Sequence, residues 1–261
     1  MTNILSMHKD YRVLPYILHG LGIRDVKFAG KSAAELRDFY EVYRRFCAVL
    51  LLFSLKNWGF AADDAASCYI FSPSLSFSLD DVRLQLKTVK NDSYFAFVLD
   101  FEASKKYRII LYPYGSSSES GKKHFPSADE VHCLYPVRSD DNDGIYVGIE
   151  SLDSFRRLQQ AVFRAFVYAS DGKLSACPFC HSNMFVSRDG AFFCENCSTV
   201  ISEKNCFDTH KPYFSSTVRS YSPSAHDRDL TASASILYRF RNITAMTADG
   251  SAICPHCGKI H

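Results

Sequence analysis

Apolar and polar positions alternate along the chain with three different rhythms. From residue 36 to residue 58, apolar side chains recur at Leu36, Phe39, Tyr40, Tyr43, Phe46, Cys47, Leu50, Leu51 and Trp58. That spacing predicts a long amphipathic helix, with Arg37, Asp38, Glu41, Arg44, Arg45 and Lys56 on its polar face. Ser32 and Glu35 form a capping box at its start, and Asn57 and Gly59 stop it. Upstream, residues 8–23 read as a helix interrupted at Pro15. From Tyr69 to Glu150 the rhythm changes to that of strands. The segment 94–101 and the segment 107–113 form an antiparallel pair around Ser104 and Lys105. Residues 74–86 alternate in two registers offset by one residue, and 131–136 and 144–150 are two further strands on either side of an acidic turn at 139–143. The Ser- and Gly-rich stretch 115–123 reads as a mobile loop. Residues 153–169 restore the helical period, with Phe155, Leu158, Val162, Phe163 and Phe166 inward. Asp171-Gly172 then marks a boundary. The pattern predicts an α/β domain over 1–170 and a separate region over 171–261.

That second region carries the most specific chemistry in the chain. Cys177-Pro-Phe-Cys180 and Cys194-Glu-Asn-Cys197 are Cys-x2-Cys knuckles separated by thirteen residues. Each turn places two thiolates on one side, so the pair closes one tetrahedral zinc site. Residues 183–193 between them read as a hairpin, which makes the unit a zinc ribbon. A third knuckle, Cys254-Pro-His-Cys257, needs two more ligands, and Cys206, His210 and His261 are the soft donors at hand. A second zinc site of three cysteines and one histidine is expected. Four protein ligands leave no open position, so both ions are read as structural. The competing reading, disulfides, requires an oxidising compartment. The polar start, Met1 to Asp10, lacks the basic and apolar segments of a secretory signal.

Composition narrows the classes. The 261 residues are 47% apolar and 14% aromatic, enough for a sizeable core. The longest apolar run, Phe46 to Leu55, is about half of what a membrane-spanning helix needs, so no membrane association and a cytoplasmic location are expected. From Asp171 onward, nine Lys/Arg face eight Asp/Glu. Thiolate-bound zinc adds negative charge, so nucleic-acid contact would need a local patch. Tyr213, Phe214, Arg219, Tyr221, Tyr238, Arg239, Phe240 and Arg241 suit base stacking, and suit equally well the packing of a small domain.

The run Leu36-Arg-Asp-Phe-Tyr-Glu41-Val-Tyr, closed by Gly59-Phe60, resembles the opening helix of PD-(D/E)XK nucleases of the McrC and LlaJI-type restriction family. Leu111-Tyr-Pro113 and Leu134-Tyr-Pro136 are similar to strands of that family. The resemblance implies a restriction-endonuclease-like mixed sheet flanked by helices over roughly residues 8–168. It further implies a catalytic site of Glu41, Asp81, Asp100 and the position of Glu102, holding Mg2+. The chain departs from the pattern in having Glu102 where the family carries lysine, and in lacking any Pro-Asp pair. DNA and a protein partner in a multi-subunit defence system are the implied associates. The plain reading of the same residues is structural: Glu41 is spaced four residues from Arg45 for a helix ion pair, Asp81 suits a turn, and Asp100 and Glu102 suit the outer face of a strand. Two functions follow. One is a zinc-binding, nucleic-acid-associated nuclease-like subunit with an atypical active site, and the other is a zinc-ribbon adaptor without catalysis.

Overall fold

The computed structural model describes residues 33–63, 74–91, 94–113, 118–136, 144–148, 152–177, 191–218 and 252–255, with 180, 182–183, 185–188, 245–246, 257 and 259–260. The expected helix at 8–23, the serine of the capping box and the insert residues from Arg219 to Arg241 lie outside these.

The long helical stripe becomes α1 (Ala33–Asn57). It is followed by β1 (Ala61–Ala62), β2 (Ser74–Leu79), β3 (Val82–Lys90), β4 (Phe95–Glu102) and β5 (Lys106–Pro113). These five strands form an antiparallel meander. The two offset registers of residues 74–86 are thus β2 and β3, and the offset is their turn at Asp80-Asp81, where Asp80 has φ +50°. Next come α2 (Ser118–His124), β6 (Glu130–Tyr135), β7 (Ile145–Tyr146) and α3 (Leu152–Ala169). β6 and β7 extend the sheet in strand order 1-2-3-4-5-6-7, each parallel to its neighbour.

Two expectations change here. The stretch expected as a mobile loop contains α2, because a parallel β5–β6 pair needs a crossover that leaves the sheet and returns. Lys122, Lys123 and His124 end this helix, where they complement its dipole. Gly121 lets it approach β6, since a Cβ there would lie 2.5 Å from Val131 Cγ1. Likewise β6 and β7, expected on either side of an acidic turn, pair in parallel, and residues 139–143 themselves lie outside the described residues.

The strands alternate, so the sheet has two distinct faces. Leu84, Leu86, Phe97, Leu99, Phe101, Ile109 and Leu111 belong to the main core with α1 and α3. Ala96, Val98, Ile110, Tyr112, Val131 and Cys133 form a smaller cluster with Phe125 and Tyr94 on the other face. α1 and α3 pack on one another and on the sheet. Trp58 and Phe163 meet at 4.7 Å between ring centroids, and Phe60 lies edge-on to Phe101 and Phe166. α3 ends in a left-handed cap, with Gly172 at φ +70° donating its N–H to the Val167 carbonyl.

Beyond that cap lies a four-stranded antiparallel sheet ordered β11-β10-β9-β8, comprising β8 (Phe185–Arg188), β9 (Ala191–Cys194), β10 (Thr199–Asn205) and β11 (Pro212–Val218). The β8–β9 hairpin is the one expected between the knuckles. β11 is packed on α3: Phe214 stacks edge-on against Phe163 at 5.2 Å. Gln160 receives the Phe214 N–H at 3.0 Å and donates its own N–H to the Phe214 carbonyl. Phe192, Ile201 and Phe214 are continuous with the main core. A short pair, β12 (Ala245–Met246) and β13 (Ala252–Ile253), completes the order.

Replacing Gln160 by alanine strands both backbone groups of Phe214 in a buried site. The expected cost is about 1–3 kcal/mol in chemical unfolding, with the loss shared by the α/β sheet and the ribbon. An unchanged midpoint would mean that the clamp carries no stability.

Candidate metal centres and the placement of the predicted acids

The ribbon folds so that its two knuckles face each other. Cys177 follows the α3 cap, Cys180 closes the first turn, Cys194 ends β9 and Cys197 precedes β10. Cys177 Sγ lies 3.7 Å from Cys197 Sγ, and Cys180 Sγ lies 3.5 Å from Cys194 Sγ. All four sulfurs lie within 4.8 Å of one another. A disulfide needs about 2.05 Å. Four sulfurs held about 2.3 Å from one tetrahedral ion lie about 3.8 Å apart. The spacing fits a metal site, and none of the described cysteines is in a disulfide.

Local donors favour the thiolate form of Cys180, whereas burial and the neighbouring thiols push Cys194 up. Burial raises the Cys180 thiol, but the Asn196 side chain and the Ser182 backbone outweigh it and bring it down to about 7. The Cys197 sulfur also meets Thr199 Oγ1 at 3.0 Å. Cys177 and Cys194 are wholly buried, and both belong to the main apolar core.

A second group unites Cys206, Cys254 and Cys257, again with all sulfurs within 4.8 Å. Cys206 and Cys254 are buried around Tyr213. An ion pair from Lys259 to Asp208, 2.8 Å long, ties the two contributing loops together. His210, expected as a ligand, is exposed, has φ +54° and does not join this group. His261 lies outside the described residues. Both donor sets are compatible with zinc, because soft thiolates are among its preferred ligands.

The predicted acids are dispersed. Glu41 is half-exposed on α1 and pairs with Arg45 at 3.3 Å and Arg44 at 3.8 Å. Asp81 is exposed in the β2–β3 turn. Asp100 lies on the face of the sheet away from α1, held by Lys87 at 3.1 Å and by Arg108. Partial burial opposes ionisation of Asp100, yet these two cations keep its carboxyl below the usual range. Glu102 points to Lys106 at the β4–β5 turn. The direction of α1 separates the acids further. Arg44 lies over the ring of Phe95 and Phe60 over Phe101, so the helix runs alongside β4. Glu41 is therefore near the start of β4 and Asp81 near its end, separated by roughly 20 Å of strand. These four residues do not surround one cation in this arrangement. Tyr213 and Phe214, candidates for base stacking, are buried at 2% exposure each.

The densest cluster of titratable groups is one that the sequence reading missed. Glu130 and His132 share the helix-facing side of β6. Glu130 accepts from Tyr107 Oη at 2.7 Å, meets His132 Nε2 at 2.6 Å and receives Arg164 of α3. Burial raises the Glu130 carboxyl, but His132 and Arg164 overcome it and bring it to about 2. Tyr107 is pushed up by burial and by Glu130. The signals were an alternating Glu-x-His on a strand and an arginine within an amphipathic helix, and both are too common to single out.

Comparison of the chain with protein-family models, curated proteins and solved structures gives no match.

Glu130 supplies the pH dependence. Its folded value is below the ordinary 4.5, so its stabilisation is present above about pH 4.5 and lost as pH falls towards 2. Wild type should exceed Glu130→Gln in unfolding free energy by at most about 3 kcal/mol at neutral pH. The gap should narrow steadily below pH 4.5. A gap independent of pH would contradict the ion-pair origin.

Proposed function

We propose that the protein is a zinc-stabilised, non-catalytic binding subunit, in which bound zinc joins the ribbon to the α/β sheet and holds a docking surface for a macromolecular partner. The observation that carries this is the contrast between the two groups of predicted residues. The cysteines converge at metal-site spacing, whereas the carboxylates are dispersed and paired with cations. Two-metal phosphodiester chemistry needs carboxylates within reach of ions about 3.5–4 Å apart. A carboxylate already neutralised by Lys87 and Arg108 is a poor start for such a site.

Exposed apolar groups occur where the metal-binding loops are. Phe207, adjoining Cys206, is 77% exposed, and Ile260, beside Lys259, is 60% exposed. Fixed on metal-anchored loops, they pay little conformational entropy on binding a partner. Among the described residues no helix is long and apolar enough to cross a membrane.

The test combines metal analysis with a nuclease assay on the purified chain. Expected are about two zinc ions per chain and no cleavage of DNA with Mg2+ or Mn2+. Cleavage that is lost in Asp100→Asn or Glu41→Ala would overturn the non-catalytic reading and restore the nuclease one. Retardation of DNA at low salt without cleavage would identify nucleic acid as the docked partner.

A further inference from the structure

Three loops of the metal-binding lobe share one backbone pattern. The first cysteine of each donates its N–H to the carbonyl five residues later: Cys177 to Ser182 at 2.9 Å, Cys254 to Lys259 at 2.8 Å and Cys206 to Lys211 at 2.9 Å. In the first two loops the fourth residue is the second ligand, Cys180 or Cys257. The loop from Cys206 to Lys211 is thus built as a knuckle as well, although its sequence, Cys206-Phe-Asp-Thr-His-Lys211, lacks the Cys-x2-Cys signature.

Counting along it, the second-ligand seat belongs to Thr209. His210 follows at the fifth position with φ +54°, the same backbone as Ser198 after Cys197, also at +54°. In the last knuckle Gly258 occupies this position. The left-handed backbone is shared by Ser198 and His210, and His210 is exposed. The Thr209 hydroxyl accepts the Lys211 N–H at 3.5 Å within the same loop, and its side chain favours the ionised form of the neighbouring Cys206 thiol.

We infer that the site of Cys206, Cys254 and Cys257 binds its ion through three thiolates and has an oxygen corner at Thr209 that an added soft donor, a thiolate or an imidazole, can take. A neutral hydroxyl, or a water held by it, is a weak ligand beside three thiolates. Its replacement by a soft donor is favoured by the same preference that selects thiolate for zinc. A closed four-thiolate site such as that of Cys177, Cys180, Cys194 and Cys197 offers no such position. This inference rests on the metal binding proposed above and adds a ligand-exchange capacity to one of its two ions.

Cobalt(II) substituted into the full chain tests it, because the ion's visible bands report the donor set. Titration with imidazole or 2-mercaptoethanol should shift the bands of one of the two ions and saturate. In Thr209→Cys the response should vanish, and the second ion should be retained roughly tenfold or more tightly against a competing chelator. His210→Ala, His256→Ala and His261→Ala should leave the wild-type spectrum unchanged. Two bound ions with no response to either donor would overturn the exchangeable corner while leaving zinc binding intact. So would loss of the second ion in His256→Ala or His261→Ala, since a histidine would then close the site. A chain that holds only one ion would overturn the inference together with the two-zinc reading.

Discussion

Convergence of four thiolates at the junction of two sheets is the constraint on which the rest of the molecule depends. Cys177 and Cys194 are buried in the same cluster as Leu99, Phe163 and Phe214, so the proposed ion would sit at the edge of the main core. Structural zinc contributes on the order of 10–16 kcal/mol in small zinc-binding peptides. A whole domain is stable by only about 5–15 kcal/mol. One such ion would therefore be comparable with the net stability of the fold, adding to the packing of β11 on α3. Without metal, these four sulfurs, all within 4.8 Å of one another, would be joined only by weak thiol contacts.

α3 transmits that constraint to the sheet. One side of it meets α1 through Phe163 and Trp58, and Gln160 and Phe163 hold β11. Arg164, one residue on, reaches the Glu130–His132 pair of β6. Three consecutive kinds of contact (aromatic, amide and ionic) thus fix a single helix against three neighbours. The expected division at residue 171 corresponds to a change of chemistry, from apolar layers to metal ligation. The apolar core itself runs through it.

The legible parts were those with a strong local period. α1, α3, the β4–β5 pair and the β8–β9 hairpin follow from spacing alone, and the first metal group follows from two knuckles. What escaped was set by distant partners. β11 does not read as a strand, because its Tyr213 and Phe214, suited equally to base stacking and to packing, acquire meaning only against Cys206 and Gln160. α2 has a loop's composition and is required by the parallel pairing of β5 and β6. The role given to His210 assumed that spacing alone chooses the ligand, but its side chain is exposed and outside the group of Cys206, Cys254 and Cys257. The implied catalytic acids were compatible in kind but not in place: Asp100 and α1 lie on opposite faces of one sheet.

Hydrogen exchange on the full chain, with and without a strong chelator, tests the central claim most directly. Metal-dependent anchoring predicts that amides of β9, β10 and β11 lose protection when the metal is removed. Those at the centre of β3, β4 and β5 should exchange as slowly as before or only moderately faster. Unaltered protection across residues 191–218 after verified metal removal would contradict the account, because the ribbon would then be held by its packing alone.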